Sequence, residues 1–351
     1  MEILTATDEK LRIDKSVNRV RWVQRTCDES VASALSRQFD LPDFIARILS
    51  MRGIGMDDAE AFLRPTLRDA LPDPTHLLDM ETAVARIVAA VQQQQKVVIY
   101  GDYDVDGATS SALLNRFFAM AGLDVNVYIP DRMTEGYGPN ADAFRKLQEQ
   151  GVQLVITVDC GTVSFEPIAA ANALGMDVVV IDHHLGAENL PDAVAVVNPN
   201  RLDETSPLRY LAAVGLSFML AVAVNRQLRE AGWYDDKDEP DLLSLLDLVA
   251  LGTVCDVMPL VGLNRAFVTQ GLKIMQQRRN IGLKALADVA RQDGPPTVYH
   301  AGFVLGPRIN AGGRIGKANL GTRLLSTEDQ EEAHAIAGEL DRLNEERRAI
   351  E

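Results

Sequence analysis

Cysteine is scarce in this chain: Cys27, Cys160 and Cys255 are an odd number in 351 residues, with no CxxC spacing. That excludes a disulfide framework and a thiolate zinc site, and it fits a reducing compartment, the cytoplasm. The N-terminus MEILTATDEKLRIDKSV has no apolar stretch and no small-residue cleavage site, and no run of 18 apolar residues occurs later. We therefore expect neither export nor a membrane span. GxxxxGK[ST] is absent, as is a GxGxxG after any strand-like run, so a nucleotide cofactor is not indicated. Positive charge is in deficit: 35 Lys and Arg against 50 Asp and Glu give a formal net charge of -15. A broad electrostatic embrace of nucleic acid or anionic lipid is disfavoured, and any polyanion must be met locally.

What remains is an ordinary globular composition, 47% hydrophobic and 24% charged. The length suits two domains, or one large α/β domain with an appendage. From Trp22 to about Pro74 the pattern is helical and punctuated by Pro and Gly, with Asp57 or Asp58 suited to an N-cap. A helix follows over about 80–94, with Ala83, Ile87, Val88 and Val91 on one stripe. Then come short apolar runs rich in β-branched residues: KVVIY (96–100), VNVYIP (125–130), QLVITVD (153–159), DVVVID (177–182) and AVAVVNP (193–199). Most are separated by helical patterns. Runs without alternation are strands buried on both faces, and the alternation with helices means βαβ crossovers. The expected fold class is α/β: an open, mainly parallel sheet flanked by helices on both faces, with a small helical N-terminal segment and a C-terminal helical linker. The expected domains are 1–79, a helical segment; 80–315, the catalytic domain; and 316–351, the start of a connecting helix. We read GFVLGPRINAGGRIG as a glycine-rich loop.

In open α/β sheets, ligands bind at the carboxyl ends of the strands. KVVIY runs into GDYDVDG, which supplies Asp102, Asp104 and Asp106. QLVITVD ends in Asp159, DVVVID ends in Asp182 with His183 and His184 following, and the helix LLDLVALGTV delivers Asp256. Carboxylates gathered this closely repel one another unless protons or cations neutralise them. Oxygen donors with one or two imidazoles and no thiolate suit Mn2+ or Mg2+, and two such ions would activate water and clamp a phosphoryl group. Each signal also has a plainer reading. Asp with Gly at a strand end is common turn chemistry, Asp159 alone would serve as a helix N-cap, and Asp256 alone is an ordinary helix end. His76, His300 and His334 are expected at the surface or in packing, and Cys160 and Cys255 as buried thiols. Arg308, Arg314 and Asn310 in the glycine-rich stretch are suited to phosphate oxygens; an incidental surface turn is the alternative.

GDYDVDG, TVDCG, VIDHH and ALGTVCDVMPL resemble the four motifs of the DHH phosphoesterase superfamily, named for the Asp182-His183-His184 type of triplet. The likeness extends through ARILSMRGI, DRMTEGYGPN, VVNPN, PLVGLNR and GPRINAGGR, nearly the whole chain. Within the superfamily it is similar to the single-strand-specific 5′→3′ DNA exonucleases. The resemblance implies a catalytic set of Asp104, Asp106, Asp159, His183, His184 and Asp256. It implies two divalent ions, Mn2+ or Mg2+, with Asp104 and Asp106 as ligands, Asp159 bridging, and His183 and Asp256 completing the ligands of the second ion. Asp102 would stand in or beside this ligand set, with Asp182 just outside it. His184 would meet the scissile phosphate, and Arg308, Asn310 and Arg314 would hold substrate phosphates. The implied enzyme is a monomeric phosphodiester hydrolase of DNA repair and recombination that releases 5′-mononucleotides from single-stranded DNA, with a single-strand-binding protein and a helicase as associates. Tyr100 stands where the pyrophosphatase branch has His. The resemblance also implies that a DHH-associated domain and an oligonucleotide-binding fold are missing, so weaker and less processive hydrolysis is expected. The alternatives are an oligoribonuclease or nucleotide phosphatase of the superfamily, and a catalytically silent module of a replication or repair complex.

Overall fold

A computed structural model of the chain describes residues 12–13, 22–23, 25–132, 134–315 and 317–350. Two compact units divide at Asp69 and Ala70. In the first, β1 (Arg12–Ile13) and β2 (Trp22–Val23) pair antiparallel. Three helices follow, α1 (Glu29–Phe39), α2 (Asp43–Met51) and α3 (Met56–Leu63), with α4 (Leu67–Ala70) at the boundary. Ala32, Leu35, Ala46, Leu49 and Ala59 form the helical core. The N-cap of α3 is Gly55, and Asp57 and Asp58 sit instead in its first turn, where carboxylates meet the positive end of the helix dipole.

The second unit opens with α5 (Met80–Gln92), whose expected stripe is buried. Residues 70–79 belong with this unit, ahead of the boundary at 79/80 that the sequence suggested. The reason is local: buried Arg201 bonds both Asp79 and the Val196 carbonyl, and Leu77 is buried. Five parallel strands form the sheet: β3 (Val97–Gly101), β4 (Asn126–Tyr128), β5 (Leu154–Val158), β6 (Asp177–Ile181) and β7 (Ala195–Val197). Their spatial order is β4-β3-β5-β6-β7. All five apolar runs are strands, and the α/β class holds. One sheet face packs Val98, Tyr100, Val155, Val178 and Val180 on α7 (Ala141–Glu149) and α8 (Phe165–Ala173). The other is covered by α5, α6 (Val105–Ala121) and α9 (Ala213–Glu230). Each fully buried Val, Ile or Phe contributes roughly 1.5–3 kcal/mol, which is why strands without polar alternation are stable only in this sandwich. No described helix is long and apolar enough to cross a membrane.

The chain leaves β3 for β4 on one side and then crosses back to β5 on the other. The topological switch point therefore lies between β3 and β5, the place where such sheets bind ligands. Beyond β7 the fold is helical: α10 (Leu246–Cys255), α11 (Gly262–Gln276), α12 (Ile281–Val289), a π-helical turn (His300–Leu305), α13 (Gly306–Ile315), α14 (Leu320–Ser326) and α15 (Gln330–Ile350). α15 packs on α12, α13 and α14 through buried Ala333, Ala337, Leu340 and Leu343.

Candidate metal centre

Parallel register aligns the acidic turns. Gly101 pairs with Val158, and Val158 with Ile181. The next residue of each strand is an aspartate, so Asp102, Asp159 and Asp182 form a row across three adjacent strands at the switch point. Asp104 follows as the N-cap of α6, accepting from the Gly107 N–H at 3.0 Å. Asp106, fully buried in the first turn of α6, accepts from the N–H groups of Ala213 and Val214 at 2.7 and 2.9 Å. The open N-terminus of α9 thus fixes its orientation.

Asp256 arrives from the other side, at the end of α10. The Val257 N–H bonds the Val254 carbonyl and the Met258 N–H bonds the Thr253 carbonyl, the pattern of a Schellman cap. Its left-handed position holds Val257 at φ 58° instead of glycine. Asp159 is left-handed too, at φ 61°. Non-glycine residues in this region store strain, and here both flank or carry a converging carboxylate.

His183 is the hub. Its Nε2 lies 3.2 Å from Asp159 Oδ1, 3.7 Å from Asp106 Oδ2 and 3.6 Å from Asp256 Oδ2. Ligand atoms within 4.8 Å of one another define three donor groups: Asp102, Asp104 and Asp159; Asp106, His183 and Asp256; and Asp159, His183 and His184. The first two share no residue, so two cations can be held side by side. Asp182 is a member of none of these groups but supports one of them. It accepts from the N–H groups of Thr162, His183 and His184 and pairs with His184 Nδ1 at 2.7 Å.

The electrostatics are those of crowded carboxylates. Burial, then Asp104, pushes Asp102 up to about 7, and the same two causes raise Asp256 to about 6. Burial and neighbouring carboxylates push Asp106 and Asp159 well above the usual range, in Asp106 against two backbone donors. Burial would raise Asp182 as well, but the bonds from His184 and the backbone hold it at about 2. Burial and the neighbouring His184 bring His183 down to about 4, while the Asp182 bond raises His184. Asp159 Oδ1 and Asp256 Oδ2 are buried with no hydrogen-bond donor. Oxygen atoms left so, beside an imidazole and with no thiolate among the donor groups, fit a hard divalent cation.

Residues 96–253 match the DHH family, N-terminal domain. The chain is 38% identical over 334 residues to the single-stranded-DNA-specific exonuclease RecJ of Bacillus subtilis, covering 95% of this chain and 41% of the relative. A crystal structure of exonuclease RecJ bound to manganese is 35% identical and superposes with a TM-score of 0.70, covering 80% of this chain and 68% of that one. The chain belongs to the RecJ family. RecJ of Escherichia coli is 38% identical over 319 residues, 89% of this chain and 54% of its own length. The Mn2+ complex of Thermus thermophilus RecJ matches with a TM-score of 0.75 over 91% of this chain and 44% of that one, at 30% identity. The chain spans about half the length of the curated RecJ relatives it matches.

One expectation for this RecJ-family chain is corrected. Residues 302–315 of GFVLGPRINAGGRIG are not a glycine-rich loop but the π-helical turn continuing into α13. Its glycines serve close packing: a Cβ on Gly313 would lie 2.8 Å from the Tyr103 carbonyl, one on Gly312 2.8 Å from Leu340, and one on Gly306 2.4 Å from Cys255 Sγ. Arg308 lies inward, its Nε bonding Asp341 of α15 at 2.8 Å and its Nη1 the Val304 carbonyl at 2.7 Å. Asn310 is half-buried on α13, and the side chain of Arg314 lies outside the described residues. Tyr100 also stays out of the cluster, donating to the Gly138 carbonyl at 3.0 Å from within the core. Cys160 is buried, as expected, while Cys255 is half-buried, and burial pushes both thiols up.

Sequence reasoning missed the clamp on the histidine turn. Asn198 Nδ2 donates to the His184 carbonyl and to Thr162 Oγ1, both at 2.8 Å, and Asn200 Nδ2 donates to the His183 carbonyl at 2.6 Å. The signal available was VVNPN, two amides at the end of an apolar strand.

Proposed function

We propose that this chain is the catalytic part of a metal-dependent, single-strand-specific 5′→3′ DNA exonuclease that releases 5′-mononucleotides. The observation that carries this reading is the pair of disjoint donor groups at the sheet's switch point, with buried carboxylate oxygens left without donors. In this reading Asp102, Asp104 and Asp159 would hold one Mn2+ or Mg2+, and Asp106, His183 and Asp256 would hold the other. Such ions supply Lewis-acid chemistry, acidifying water and neutralising phosphoryl oxygens.

The chain's own residues do the rest. Asp182 holds His184 by Nδ1, which fixes the imidazole and leaves Nε2 for a phosphate oxygen. The same bond raises the pKa of His184, which favours the protonated imidazole at the rim of an otherwise anionic site. Asn198 and Asn200 keep the two histidines in register. Arg308, Asn310 and Arg314 would meet substrate phosphates, Arg308 only after leaving Asp341.

The test is direct: incubate the chain with manganese and end-labelled single strands, alongside duplex, dinucleotides and pyrophosphate. Mononucleotides appearing first from the 5′ end of single strands are expected. Release from the 3′ end, or activity confined to dinucleotides or pyrophosphate, would overturn the assignment. Pull-down with a single-strand-binding protein and with a helicase, and sedimentation of the chain alone, test the associated proposals of recruitment and a monomer.

A further inference from the structure

Two aromatic rings stand exposed on the π-helical turn that leads into α13. Phe303 is 74% exposed and Tyr299 62%, yet they lie stacked on each other, with centroids 5.4 Å apart and planes 22° from parallel. Tyr299 also meets His300 edge-on at 5.9 Å. Large exposed rings carry a hydration cost that a fold ordinarily avoids, and two stacked in water make a flat aromatic face, not a groove. The turn beneath them is anchored to the metal centre's own scaffold: Cys255, the residue before Asp256, donates its thiol to the Ala301 carbonyl at 3.4 Å.

Charge singles out the same stretch. Residues 294–327 contain no Asp or Glu, but carry Arg308, Arg314, Lys317 and Arg323 in a chain of net charge -15; Arg308 and Arg323 pair with Asp341 and Glu332 from beyond the stretch. An aromatic face on a stretch of chain that has no Asp or Glu of its own fits a ligand that is planar and apolar on its faces and anionic along its backbone. An apolar protein segment would need neither the flatness nor the freedom from carboxylates. Unpaired nucleobases have both properties, whereas paired bases hide their faces.

We infer that Tyr299 and Phe303 form a stacking platform for unpaired bases of the strand being degraded, and so contribute to the choice of single strands. This rests on the nuclease reading above. It adds a base-reading surface to a site that otherwise contacts only phosphate.

The experiment compares KM for a single-stranded oligonucleotide with KM for a strand of equal length whose internal nucleotides are abasic, in manganese. The wild-type chain should favour the base-bearing strand by about tenfold, the range of one stacked base. Phe303→Leu, apolar but not planar, should lose that preference, and Phe303→Trp should keep it. If Leu and Trp behave alike, or if the wild type does not distinguish the two strands, the platform is refuted. A change confined to self-association of the Leu variant, read by sedimentation, would also refute it by marking the patch as a protein contact. Absence of hydrolysis of every strand by the wild type would instead sink the nuclease reading.

Discussion

Replacing Gly107 by alanine sets two effects of opposite sign against each other. Gly107 is the third residue of α6, and helix propensity alone favours alanine there by about 0.8–1 kcal/mol. Packing opposes it. A Cβ at this position would lie 2.5 Å from the Asp102 carbonyl oxygen and 2.7 Å from its carbonyl carbon and Cα. These are backbone atoms that cannot swing aside, so the turn and the helix must part by roughly 0.5–1 Å. Overpacking of this kind costs about 1–3 kcal/mol. The net effect is a destabilisation of up to about 2 kcal/mol, or a melting point lower by up to roughly 6 °C for a unit of this size. The function should suffer more than the fold. The displaced turn carries Asp102 and Asp104, and a 1 Å misplacement of reacting groups costs on the order of 10²-fold in rate. Calorimetry of the metal-free chain, a manganese titration, and turnover of single-stranded DNA measure the three quantities. A Gly107→Ala variant that melts higher and binds manganese normally would show that propensity decides, and that the close approach of α6 to the Asp102 turn has no consequence.

Other expectations follow from the same geometry. Asp159→Ala removes a buried carboxylate surrounded by like charges, so the metal-free chain should melt no lower than wild type while manganese-dependent stabilisation and turnover are lost; normal turnover would refute the metal assignment. In the metal-free chain, the raised Asp102 and Asp256 favour the fold in their protonated form, so their contribution is complete below about pH 4 and lost as pH rises through 6 and 7. His183, lowered to about 4, gives its full contribution above its ordinary pKa of about 6.5, so between pH 6.5 and 8 the melting point in chelator should fall, by about 1 kcal/mol of stability from the two carboxylates. A rise over that window would contradict the sign. Val257→Gly relieves a left-handed valine that is 86% exposed. Relief of about 1–2 kcal/mol outweighs the unfolded-state entropy of glycine, about 0.5–1 kcal/mol, so differential scanning should record a higher melting point.

The sheet was legible because burial on both faces leaves strands no polar residues, and KVVIY or DVVVID has no other home. The convergence of Asp102, Asp159 and the histidine pair followed from strand ends alone. What stayed hidden depended on partners distant in sequence. Glycine density in this stretch reads locally as a loop, yet Gly306, Gly312 and Gly313 are helix positions where Cys255, Leu340 and Tyr103 come too close for a side chain. The inward turn of Arg308 depends on Asp341, which lies 33 residues further on. Likewise, nothing near Asp106 announces that the amides of Ala213 and Val214 orient it.

The aspartate row has a consequence for how such a centre can change. Neighbouring strands are about 4.8 Å apart, a length set by backbone hydrogen bonds and indifferent to side chains. Asp102 and Asp159 therefore stand on a fixed ruler, and a one-residue slip of either strand would turn its carboxylate to the opposite face. Adjustment to a cation of different radius is left to the donors mounted on helices, Asp104, Asp106 and Asp256, whose supports can shift by fractions of an ångström. Selection for a new metal should accordingly leave its substitutions around α6, α9 and α10 and spare the strands.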